Sequence, residues 1–113
     1  MDIDFIKWMC EKAEGFEYKE SYNDISHIPS SMAANIGSRD FKELLKPLLL
    51  QRAIEGVNKA DLQFYIITNH QYITVVDWSE YEEQLKINLR GREYTHDQAK
   101  ESALKYIYEQ ELK

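Results

Sequence analysis

The stretch LQFYIITNHQYITVVDW, residues 62–78, constrains the fold more than any other part of this chain. Residues 62–68 and 72–78 are crowded with β-branched and aromatic side chains, and Asn69-His70-Gln71 lies between them. Two such runs around a short connection predict an antiparallel hairpin. Both are nearly continuous in apolar residues, which predicts a sheet largely covered by other parts of the protein. Residues 81–90, YEEQLKINLR, allow two readings. Tyr81, Leu85 and Leu89 have helical spacing, but Leu85, Ile87 and Leu89 alternate strictly with Gln84, Lys86 and Asn88. The alternation, followed by Gly91 as a turn residue, predicts a third strand.

Helices are expected on either side of this sheet. In residues 3–14, Phe5, Ile6, Met9 and Ala13 recur at helical spacing, with Trp8 and Cys10 widening the stripe. Asp2 or Asp4 is placed to cap the start and Gly15 to stop the end. Residues 40–58 carry a second stripe of Leu45, Leu49, Ala53 and Val57. Pro47 interrupts it. An interior proline costs about 3 kcal/mol, whereas one in the first turn costs little, so a break is expected there, with the firm helix from Pro47 to Val57. In the last segment Thr95 and Gln98 form a capping-box pattern, predicting a helix from about His96 to Leu112 with Ala99, Ala103, Tyr106 and Ile107 on one face. Residues 16–39 show no sustained period and are expected to be a long irregular loop, with a short helix possible over SSMAANI.

The expected protein is therefore one α+β domain spanning residues 1–113. It has a small antiparallel sheet of about three strands around a central hairpin, packed with three helices in the order α-loop-α-β-β-β-α.

This layout resembles small uncharacterised bacteriophage and prophage proteins of the phage ABA-sandwich domain type. The resemblance is carried by FIKWMCEKAEGFEY, an opening helix ending at a glycine followed by an aromatic. It continues through the apolar helix LLLQRAIEGVNK, the hairpin FYIITNHQYITVVDW and the closing THDQAKESALKYI. It covers most of the chain. It implies a phage origin and a fold, and brings no activity, cofactor or catalytic residue.

Charge narrows the function. With 20 acidic and 14 basic residues the net charge is −6, which disfavours direct nucleic-acid binding, since phosphates must be met by Lys and Arg. Residues 39–60 form a weakly basic island of net +2 between acidic regions of −4 each. The aromatics Phe64, Tyr65 and Tyr72 suit either a core or a base-stacking platform, and the missing basic field favours the core. The only cysteine is Cys10, so no internal disulfide forms, as suits a reducing compartment. The N-terminal residues lack the apolar stretch of a signal peptide, and no apolar run is long enough to span a membrane. A cytoplasmic protein of a bacterial host cell is expected, without membrane contact.

Motifs for chemistry are sparse. His27, His70 and His96 have no i, i+4 partner, and neither C-x-x-C nor H-E-x-x-H occurs, so no metal or other cofactor is expected. Cys10 lies beside an apolar stripe, where thiols act as small hydrophobes, and is expected to be mostly buried. Glu82 and Glu83 are adjacent and would point to opposite faces of a strand, the wrong geometry for a carboxylate pair. The glycines are too scattered for a phosphate-cradling loop. No catalytic residue is expected, and the chain is expected not to be an enzyme.

What remains is DWSEYEEQ, residues 77–84, with four carboxylates, two aromatics and no base. Its plain reading is a solvated turn leading into the third strand. Its sharper reading is an acidic contact surface made by Asp77, Trp78, Glu80, Tyr81, Glu82 and Glu83. The carboxylates, expected to be exposed, would occupy an arginine-rich groove meant for phosphate, and the aromatics would anchor the contact. The corresponding expectation is a phage accessory protein that binds a host or phage protein with a basic surface. Its most concrete form is an inhibitor of a bacterial nucleic-acid-handling defence system, of the anti-CRISPR kind. A virion or assembly component is the alternative, and an unrecognised enzyme built around the long loop with His27 or His70 is a third.

Overall fold

A computed structural model of the chain describes residues 2–60, 63–91 and 93–113. It is an α+β protein with two three-stranded antiparallel sheets. The chain forms two compact units, one ending at Ala53 and the other running from Ile54 to Lys113.

The first unit opens with helix α1, Ile3–Lys12. Asp2 caps it, its carboxylate accepting the Asp4 N–H at 3.0 Å. The apolar spacing does what it predicts, burying Phe5, Ile6, Trp8 and Met9, with the Phe5 and Trp8 rings stacked. At Gly15 the backbone turns left-handed, with φ of +85°, and a Cβ there would sit 3.1 Å from the Pro29 ring. Glycine meets both demands.

Residues 16–39 correct the expectation of an irregular loop. They hold a meander of three short strands, β1 Phe16–Lys19, β2 Asp24–His27 and β3 Met32–Asn35. β1 pairs with β2 from Phe16↔His27 to Lys19↔Asp24, and β2 with β3 from Asp24↔Asn35 to His27↔Met32. The turns rest on Asn23 and Ser31 at positive φ. The Tyr18 hydroxyl donates to Asn23 Oδ1 at 2.6 Å. The possible helix over SSMAANI is likewise a strand, because pairing with β2 overrides the helical preference of Met-Ala-Ala. Each strand has only four residues, and Ile25 alone among them is fully buried, so no period rises above the background.

At Pro47 the firm helix begins where expected, but no break precedes it. The chain stays helical through the proline, as a π-helical turn over Phe41–Leu45 runs into helix α2, Lys46–Ala60. The Lys46 N–H reaches back to the Phe41 carbonyl, five residues away. In an unbroken α-helix the proline ring would strike the carbonyl four residues before it. The wider turn relieves that clash without ending the helix. Leu45, Leu49, Ala53 and Val57 are all buried, as their spacing predicts.

The boundary between the units falls within α2. In the second unit the predicted hairpin is present as β4, Phe64–Thr68, and β5, Tyr72–Asp77. Leu62 of the expected strand lies outside the described residues. Asn69 Oδ1 accepts the N–H groups of Gln71 and Tyr72, both at 2.8 Å, and so closes the turn. Residues 82–88 form β6 beside β5, with a bulge at Val75/Val76, which bears out the strand reading of the third segment. Helix α3, His96–Glu111, packs on β5 and buries Ala99, Ala103, Leu104 and Ile107. Its capping box is complete, with Gln98 N–H on Thr95 Oγ1 at 3.1 Å and Thr95 N–H on Gln98 Oε1 at 2.9 Å. Thr95→Ala is expected to cost the second unit about 1 kcal/mol, measurable by chemical denaturation.

Candidate functional site

The acidic stretch is the turn between β5 and β6. Its first residue corrects the expectation of exposed carboxylates: Asp77 is only 7% exposed. Among the described residues no base pairs with it. Asp77 Oδ1 instead accepts the Ser79 N–H at 2.8 Å and the Ser79 hydroxyl at 2.6 Å, and Gln63 Nε2 donates to Oδ2 at 3.4 Å. Neutral donors thus satisfy a carboxylate that desolvation would otherwise penalise. The Ser79 hydroxyl is the chief cause that holds the Asp77 carboxyl below its ordinary value, against the opposing pull of burial. Asp77 therefore shapes the turn, and only the residues after it face outward.

That arrangement has a pH consequence. The unfolded carboxyl titrates near its ordinary value of 3.8, and the folded one below it. The stabilisation is complete above the unfolded value and is lost as pH falls through the folded one. Asp77→Asn should therefore be less stable than the parent at neutral pH. Its deficit should shrink as pH falls below about 4. Denaturation midpoints across that range check this, and a deficit that stays constant would rule it out.

The remaining turn residues are open to solvent. Tyr81 is 83% exposed and Trp78 is 46% exposed, with Glu80, Glu82 and Glu83 exposed around them. Trp78 is nevertheless held in place. Its backbone N–H donates to the Gln63 carbonyl at 2.7 Å, and its ring meets Tyr65 edge-on with centroids 5.3 Å apart. Tyr81 has φ of +55°, a left-handed conformation uncommon for a bulky residue. Glu82 lies opposite Asp77 and Glu83 opposite Val76, so the two glutamates take opposite faces at the start of an edge strand. Five of the six predicted residues are thus exposed, three in the turn and two on opposite faces at the start of β6, and the sixth turns inward. The D-x-S pattern of an aspartate bonded to the amide two residues on was a legible signal for that inward turn. The Gln63 contact had none.

Other chemistry-bearing residues lie in both units. Cys10 is half-buried, less deeply than expected. Desolvation, with the charge of Glu11 adding to it, pushes its thiol up to about 11. It is therefore protonated at neutral pH and weakly nucleophilic. It lines an open groove of about 320 Å³ with Lys7, Glu11, Phe16, Tyr18 and Glu20. Lys7 Nζ meets Glu20 Oε1 there at 3.1 Å and lies over the Tyr18 ring. That ion pair is open to water and adds little stability. His27 shares a 2.6 Å hydrogen bond with Ser30 Oγ and packs on Phe16, while His70 and His96 are exposed. Among the described residues no three His, Cys, Asp or Glu side chains come together as a metal-binding group. No helix among them is long and apolar enough to cross a membrane.

No protein family, curated protein or solved structure matches this chain.

Proposed function

We propose that this chain is a small non-enzymatic phage accessory protein that binds a partner through the β5–β6 turn. The observation that carries the reading is the presentation of Trp78 and Tyr81, 46% and 83% exposed, among exposed Glu80, Glu82 and Glu83. Large aromatics are the residue types that anchor interfaces, and surrounding carboxylates select a basic partner surface. The partner in this reading is a host protein whose arginine-rich groove handles nucleic acid. The carboxylates take the place of phosphates, in the manner of an anti-CRISPR inhibitor acting in the bacterial cytoplasm. The resemblance to phage ABA-sandwich proteins supports the phage setting.

The test is affinity purification from the natural host, followed by binding kinetics at two salt concentrations. Changing Glu80, Glu82 and Glu83 together to Gln should leave stability within about 0.5 kcal/mol, because all three are exposed. It should slow association at low salt and flatten the salt dependence. Equal kinetics for both forms would leave the stretch a solvated turn.

A further inference from the structure

The sheet β4–β5–β6 has two unlike faces. One bears Phe64, Ile66, Ile73, Val75 and Ile87, all buried, with Phe64 meeting Tyr106 of α3 edge-on. The other bears Tyr65, Ile67, Tyr72, Thr74, Val76 and Trp78, by the alternation of side chains along the strands. Ile67 is 43% exposed, Trp78 is 46% exposed, and Tyr65, Tyr72 and Val76 are half-buried. This second face is largely apolar and open to solvent at Ile67 and Trp78, with Thr74 buried at its centre, which sets it apart from scattered surface hydrophobics.

One ring of this face already carries a cation of the chain itself. At one end the Lys86 ammonium lies 4.2 Å above the centre of the Tyr72 ring. At the other end the row across the sheet runs Tyr65, Val76, Glu83, with Trp78 against Tyr65. Glu83 ends that row on the far side of Val76, and exposed Glu80 follows Trp78 in the turn, so this end of the face is acidic. An aromatic plane beside a carboxylate suits a planar guanidinium, which stacks on the ring and bonds the acid with its N–H fork.

We propose that this face is a docking surface for an arginine-bearing segment of a partner protein, with apolar residues on Ile67 and Val76 and a guanidinium on Trp78 beside Glu83. The proposal rests on the partner-binding reading and extends it from the turn to the sheet. It assigns affinity to the apolar face and steering to the turn. A second copy of the chain is a poor occupant, since it brings the same carboxylates and a net charge of −6.

The test uses the full chain, labelled with ¹⁵N, and two probes: the peptide Ac-Arg-Leu-Arg-Leu-Arg-NH₂ and its lysine counterpart. The arginine peptide should shift the Trp78 indole N–H and the amides of Tyr65, Ile67 and Val76. The lysine peptide should bind about threefold or more weakly, since an ammonium cannot stack as a plane. Trp78→Ala should weaken the arginine peptide about fivefold or more. Ile67→Ser, away from both the turn and the Tyr65–Trp78 contact, should weaken it as well. Shifts confined to residues 79–83, with Ile67→Ser neutral, would overturn the docking face while leaving the acidic turn as the contact. Absence of shifts at the face, or equal binding of the two peptides, would also overturn it. So would a concentration-dependent mass with the same shifts in free protein, which would make the occupant a second copy.

Discussion

Replacing Ile25 with alanine is expected to cost the first unit about 2–5 kcal/mol. Ile25 is 0% exposed at the centre of the middle strand, paired with Tyr18 on one side and Ala34 on the other. Its truncation removes buried methyl groups and leaves a cavity that two flanking strands cannot collapse without losing register. Were residues 16–39 an irregular loop, the same change would fall within about 0.5 kcal/mol, the usual range for exposed positions. Denaturation followed through Trp8, which lies in the same unit, separates the two outcomes. A Trp78→Phe background keeps the signal of the second unit out of the measurement.

Replacing Asn58 with alanine should destabilise the second unit by about 2–3 kcal/mol. Asn58 lies in α2 and treats Ile66 of β4 as a neighbouring strand would. Its Oδ1 accepts the Ile66 N–H at 2.7 Å, and its Nδ2 donates to the Ile66 carbonyl at 2.8 Å. β4 is an edge strand, and these two groups point away from β5. Alanine would break both bonds and leave the edge unpaired at its centre, an invitation to association as well as a loss of stability. Asn58→Asp keeps the acceptor but sets a carboxylate against the Ile66 carbonyl, so it should cost at least as much. Denaturation through Trp78 measures both variants, and a loss below about 0.5 kcal/mol for Asn58→Ala would show that water replaces the side chain.

The exposed part of the candidate site was legible because its signal is compositional. Four carboxylates and two aromatics within eight residues, with no base among them, point to solvent wherever the chain runs. Asp77 broke the pattern because its donors are a serine two residues on and a glutamine just before the partner strand. The counting of bases that predicted exposure overlooks neutral donors. The open face of the sheet was harder to see. Both strands of the hairpin are apolar on each side, which predicts a covered sheet, and only the packed structure shows that α3 takes one face while Ile67 and Trp78 stay open on the other.

The sequence by itself determined the elements whose signals are local. The β4–β5 hairpin, the alternation of β6, the buried stripe of α2 and the capping box of α3 each depend on residues within a few positions of one another. Tertiary structure decided what depends on partners further away. The β1–β2–β3 meander exists because four-residue strands with one buried residue become stable only when paired. Asn58 caps an edge eight residues along the chain, and Gln63 meets Asp77 fourteen residues away. The helix passes Pro47 because packing of Leu45 and Leu49 on either side outweighs the cost of a wider turn. Local preferences are worth tenths of a kcal/mol per residue, about 0 to 0.7 in a helix, whereas burial of one large side chain contributes about 1.5–3 kcal/mol. Where the two disagree, contacts between distant residues set the outcome.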